Sequence, residues 1–178
     1  TSLNPRMTVS DIVAEPMVIH GQRIGPETES VLGSLLERVG EEKAARRQFA
    51  TVAAIERLLD VNGVSIDLDA AVYRADRGIA PAATVRLARR ARLDRPSIAG
   101  DQALGWALAR AGRCGEAISW LDRASRLGTR DALLYFHRGY AAGCAGDPGA
   151  MRRWYRAALA LDPAFSVQWA PVARKALS

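Results

Sequence analysis

A chain of 178 residues, 49% hydrophobic and 25% charged, can form one cored domain or a short repeat array and does not have a disordered composition. Its net charge of +6 is almost all arginine, with Lys43 and Lys175 the only lysines, which raises nucleic acid or an acidic surface as partners. No apolar run approaches the roughly 20 residues that a membrane-spanning helix needs.

Residues 1–25 stand apart as a non-repeat leader. Thr8 with Asp11 three residues later is a variant of the capping-box spacing, and Pro16 would end the short helix that it starts. The run Ser2-Leu3-Asn4-Pro5-Arg6-Met7-Thr8-Val9, then Asp11-Ile12, Ala14-Glu15-Pro16 and Ile19-His20-Gly21, resembles a segment of oligopeptide-type ABC-transporter ATPases. In that family the segment follows the glutamine-containing loop at the nucleotide site. The resemblance does not bring the activity with it. The phosphate-cradling G-x-x-x-x-G-K-[ST] loop, the LSGGQ signature and the acidic metal-binding strand are all missing from this sequence. Such a leader on a different body implies a chimeric or recombined reading frame, and a chain starting at Thr1 reads as a fragment. No signal-peptide pattern is visible. Compartment and oligomeric state are left open.

From residue 26 the apolar spacing is helical. Leu32-Gly33, Leu36, Gly40, Ala45 and Phe49 mark a first helical hairpin over 26–59. Asn62-Gly63 is a turn signal. The second hairpin, over 64–97, has helices at Leu68 to Asp76 and Ala82 to Leu93, a turn at Gly78 to Pro81, and Pro96 beyond; its register drifts by about a residue. Asp67 and Asp69 favour the dipole of its first helix. Within it Arg86, Arg89, Arg90, Arg92 and Arg95 read as a solvated face, with Val85, Leu87, Ala88, Ala91 and Leu93 on the other side. The third hairpin, 98–131, has stripes at Ala103, Leu104, Ala107 and Leu108, then at Ile118, Leu121, Ala124 and Leu127, with Gly112 between them. The fourth, 132–165, turns at Gly146-Asp147-Pro148 and closes at Asp162-Pro163. Trp169 and the run Val172 to Leu177 read as a cap within 166–178.

The last two hairpins echo each other at a fixed period. Gly105 falls on Gly139, Trp106 on Tyr140, Gly112 on Gly146, Trp120 on Trp154, Ala124 on Ala158 and Leu127 on Leu161. Small residues stand where paired helices must approach, and large apolar ones where they interdigitate. Met151 holds a place where alanine is usual, so looser packing is expected there. This pattern resembles the tetratricopeptide repeat. Residues 49–166 are also similar to the C-terminal part of a group of bacterial tetratricopeptide-repeat proteins, through Ala54-Ile55-Glu56-Arg57-Leu58 with Asn62-Gly63-Val64, Tyr73-Arg74-Ala75-Asp76-Arg77-Gly78, Ala103-Leu104-Gly105-Trp106-Ala107-Leu108 and Leu127-Gly128-Thr129-Arg130-Asp131-Ala132-Leu133. The resemblance implies an all-α, right-handed solenoid of about four hairpins plus a C-terminal capping helix, with a partner-binding role.

Chemistry is not signalled. His20 and His137 have no nucleophile or carboxylate at a catalytic spacing, and His137 reads as a packed or surface histidine. Cys114 and Cys144 form no metal or redox motif and read as two small thiols within helix packing, with a disulfide as the alternative. No catalytic residue, cofactor or metal is nominated. In tetratricopeptide arrays the first helices line a concave groove. Carried over, that implies a partner-binding groove of Gln102, Trp106, Arg110, Phe136, Tyr140 and Cys144, suited to a protein or peptide partner with apolar anchors. The alternative is that Trp106 and Tyr140 pack between repeats. Gln102 and Trp106 depart from the lysine and asparagine of the carboxylate clamp that some members use. The expectation is therefore a non-enzymatic scaffold. An arginine-rich polyanion-binding module comes second, and an inactive ATPase fragment a distant third.

Overall fold

The helical hairpins are punctuated by glycines that take a left-handed backbone. Gly40, Gly78, Gly112 and Gly146 have φ of +82°, +67°, +76° and +86°. After each, the next N–H reaches back five residues: Glu41 to Leu36 O at 2.9 Å, Ile79 to Arg74 O at 2.8 Å, Arg113 to Leu108 O at 2.9 Å, and Asp147 to Ala142 O at 2.9 Å. This six-to-one bond satisfies a carbonyl that the ending helix would otherwise leave open, and a side chain at the glycine would oppose the conformation it needs. The same stop is thus used four times.

The computed structural model describes residues 26–61 and 67–178. Among these, every regular element is a helix, so the described chain is all-α. In order they are α1 (Pro26–Arg38), α2 (Glu42–Val61), α3 (Asp67–Arg77), α4 (Pro81–Asp94), α5 (Ile98–Arg110), α6 (Cys114–Ala124), α7 (Ala132–Cys144), α8 (Pro148–Leu161) and α9 (Trp169–Lys175). The leader, with its Thr8–Asp11 cap, His20 and its ATPase-like run, lies outside the described residues, as does the Asn62-Gly63 turn. No described helix is long and apolar enough to cross a membrane.

Helix starts follow local chemistry. Ser97 Oγ accepts from Gly100 N at 3.0 Å, and Asp147 Oδ1 accepts from Ala150 N at 2.8 Å, one residue ahead of Pro148. Each cap satisfies an N–H that the first turn cannot. The turn glycines Gly78, Gly112 and Gly146 are evenly spaced along the chain, whereas the interval from Gly40 to Gly78 is longer. Within the second hairpin the turn is also one residue longer, since α4 starts three residues after Gly78 whereas α6 and α8 start two after Gly112 and Gly146. Part of the longer interval is the length of α2, 20 residues against 14 in α4 and α8.

The chain divides into two compact bodies, residues 1–66 and 67–178. In the first, α1 and α2 enclose Leu32, Leu36, Ala44 and Ala45, with Phe49 against them. A Cβ at Gly33 would lie 2.6 Å from Phe49 Cε1, so a larger residue there would have to displace the Phe49 ring. In the second body, α3 packs on α4 and α5. Helix α5 also meets α4, α6 and α7, and α7 meets α6 and α8. The first helices of the three hairpins are therefore neighbours. Added Cβ atoms would meet Leu121 Cγ at 2.7 Å from Gly105 and Tyr155 Cδ1 at 2.6 Å from Gly139. At the equivalent place in α3, Ala71 is completely buried.

Three expectations are revised. Met151 does not loosen its hairpin: Gly143 provides the room, since a Cβ there would lie 2.8 Å from Met151 Sδ. Leu93 is not on the packed side of α4 but is 76% exposed, while Arg92 turns inward to pair with Asp101. Cys114 and Cys144 are a disulfide rather than two thiols, with Cα atoms 5.6 Å apart across a sequence separation of 30. The bridge forms because the start of α6 meets the end of α7, a pairing that sequence spacing does not reveal.

Candidate partner-binding site

Aromatic residues converge where α3, α5 and α7 lie side by side. Trp106 of α5 is fully buried. Its indole stacks on the His137 ring at 4.1 Å between centroids and meets Tyr140 edge-on at 5.0 Å. Phe136, also fully buried, stacks on Tyr155 at 5.0 Å. Edge-on and offset arrangements of this kind suit the ring quadrupoles and add about 0.5–1.5 kcal/mol per pair beyond area burial.

The polar groups are few, and each has a purpose. Trp106 Nε1 donates to Asp76 Oδ1 of α3 at 2.8 Å. Trp169 Nε1, at the start of α9, donates to the same oxygen at 2.8 Å. Burial pushes the Asp76 carboxyl above its ordinary value, and the two indole donors and the nearby Arg110 offset part of that rise. Arg110 Nε donates to Ala75 O at 2.9 Å and Nη1 to Tyr140 Oη at 3.1 Å. Its guanidinium also lies 5.6 Å from the Trp106 and Tyr140 rings and 5.3 Å from Trp169. One cation therefore faces three electron-rich rings and stands near one carboxylate.

His137 is the odd member. Burial lowers its pKa to about 3, so the ring is neutral at physiological pH. Gln102 Nε2 lies 3.5 Å from its Nδ1, and its Nε2 has no hydrogen-bond partner. A neutral ring stacked on an indole fits this position. A general base is not needed to explain it.

Of the six residues read from the sequence, the structure gathers Trp106, Arg110, Phe136 and Tyr140 into one cluster and sets Gln102 beside it through His137. Cys144 is engaged differently, its sulfur bonded to Cys114. The cluster is closed, not open: Trp169 lies 5.2 Å from Trp106 and 5.4 Å from Phe136, and Gln168 Nε2 donates to Asp76 O at 3.2 Å. The last helix begins at Trp169, and that tryptophan reaches back to α3. Asp76, His137 and Trp169 were not among the six. Asp76 precedes Arg110 by the same interval that separates Arg110 from Cys144, so the register that selects those two reaches it when extended one hairpin upstream.

A second polar cluster lies between α4, α5 and α6. Buried Asp101 pairs with Arg92, with Arg123 at 3.3 Å and with Arg126 at 3.0 Å. On the neighbouring surfaces Arg89 and Arg113 both pair with Glu116, and Arg138 with Asp122. Six arginines here share three carboxylates, so a positive surplus remains. No group of three or more His, Cys, Asp or Glu residues placed to hold a metal occurs among the described residues.

Among the described residues, fold and cluster together define glycine-terminated helical hairpins with no regular element but helices, and in the second body the adjacent α3, α5 and α7 share one aromatic and carboxylate centre. Compared with protein-family models, curated proteins and solved structures, the chain matches none.

Proposed function

We propose that this chain is a non-enzymatic scaffold of the tetratricopeptide type, which recognises a protein or peptide segment on the face formed by α3, α5 and α7. The observation that carries the reading is Trp169. That face receives a side chain from a segment distant in sequence and supplies rings, a cation and an acceptor to it. Repeated glycine stops and close glycine contacts in successive hairpins support the repeat reading. A bound segment would draw on the same groups, aromatic area for affinity and the Asp76 acceptor with the Arg110 cation for orientation.

A polyanion-binding module is the second reading, motivated by the arginine excess: Arg89, Arg92, Arg113, Arg123, Arg126 and Arg138 pair with carboxylates, but the six share three, Glu116, Asp101 and Asp122. Peptide display against the full chain tests the preferred reading. Ligands with an aromatic anchor should be enriched, and Arg110→Met should weaken them by about tenfold, the scale of a partly desolvated cation–π contact, with far-UV helicity retained. Enrichment of acidic sequences alone, indifferent to Arg110→Met, would overturn it.

A further inference from the structure

We infer that helix α9 is a removable plug, and that the partner is a peptide or helix whose own tryptophan replaces Trp169 on Asp76. This rests on the scaffold reading above.

The site is selective for an indole. Asp76 Oδ1 accepts from Trp169 Nε1 at 2.8 Å, and the same oxygen serves Trp106. The remaining surroundings are the Trp106 and Phe136 rings and the Arg110 guanidinium, 5.3 Å from the Trp169 ring. Tryptophan combines a large apolar body with one N–H donor and no acceptor. Phenylalanine would leave the acceptor with a single donor. An anionic anchor would face the carboxylate, and a cationic anchor would face Arg110.

The occupant is also the shortest helix of its body. Helix α9 has seven residues, and its backbone packs chiefly on α8. Arg174 and Lys175 on it are exposed, as is Val172 at 40%. Its polar hold on α3 comes from Trp169 and Gln168, Phe165 in the preceding loop lies 5.6 Å from Phe136, and the rest of its packing is through the small buried Ala170 and Ala173. Short elements held by a few side chains open with less free energy than the longer helices they cover. A ligand for the open form meets a competitor that is always present, so its apparent affinity falls by the fraction of chains that are open.

Hydrogen exchange on the unmodified full chain reads the opening directly. Amides of residues 169–177 should exchange roughly tenfold or more faster than those of α5 and α7, as a sub-global opening requires. Equal protection would make α9 integral to the core and overturn the inference. Competition reads the replacement. A fluorescein-labelled peptide of residues 162–178 should bind full chain carrying Trp169→Ala about tenfold more tightly than wild type, and should lose that binding when its own tryptophan is alanine. Equal binding to both chains, or no binding to a Trp169→Ala chain of normal helicity, would also overturn it. If Trp169→Ala fails to fold, Trp169→Phe keeps the ring and removes the donor, and the same comparison applies. Either negative leaves the scaffold reading standing, since that reading fails only if display finds no aromatic-anchored ligand.

Discussion

A histidine stacked on a tryptophan, with no donor or acceptor at its Nε2, sets a pH dependence that can be worked out by sign. The folded His137 holds its proton only below about 3, whereas an unfolded histidine does so below 6.5. The folded chain thus binds fewer protons between those values. Its stability is full above 6.5 and falls as the pH drops toward 3, by up to about 1.4 kcal/mol per pH unit. Asp76 has the opposite sign: its folded pKa is raised, so its contribution is complete below 3.8 and is lost as pH rises through the raised value. His137→Phe keeps a flat ring against Trp106 and removes the titration. Urea denaturation at pH 7 and pH 5 should show a smaller loss on acidification for the variant than for wild type. An equal loss in both would mean that His137 is not the group responsible. Sequence offered His137 only as packed or exposed, because the ring that covers it comes from α5, the first helix of the preceding hairpin.

Between helices, the decisive quantity is the room left for one methyl group. A Cβ at Gly139 would lie 2.6 Å from Tyr155 Cδ1 and 3.1 Å from the Met151 carbonyl oxygen, and the backbone atom cannot swing away. Gly139→Ala should therefore destabilise the chain by about 1–3 kcal/mol in chemical denaturation, despite the helix preference of alanine. Gly115→Ala, where nothing lies within 4 Å, should be neutral or slightly stabilising. If both changes act alike, helix propensity and not close approach governs these sites. The disulfide between α6 and α7 acts at the same scale. Reducing it, or replacing both cysteines by serine, should cost about 2–4 kcal/mol if it restrains the unfolded loop in the usual way. Unchanged denaturation midpoints with and without reductant would contradict that.

The helices and their stops were legible because their causes are local: Gly112 and Gly146 announce the left-handed turn, and Pro148 the next start. The all-helical class follows from the same signals. Less could be read where a cause lies between elements. Gly143 facing Met151, Arg92 turned toward Asp101, and the Cys114–Cys144 bridge each depend on which helix faces which. The site was half legible for the same reason. The repeat register places Trp106 and Tyr140 on corresponding turns, but nothing in that register says that Trp169 returns to cover them.

For the whole molecule, the two bodies carry separate cores, and the aromatic centre belongs to the second. The proposed role makes that centre a protein-recognition surface, whereas the second reading turns on the net charge of +6 and would present the surplus arginines to a polyanion. Calorimetric titration of the best display-selected peptide into the full chain, at low and at moderate salt, tests this most directly. Recognition through rings, one cation and one carboxylate acceptor predicts an affinity that changes less than about threefold, because screening weakens exposed charges far more than buried contacts. A fall of about a thousandfold between roughly 50 and 200 mM salt, the mark of counterion release from a polyanion interface, would contradict it.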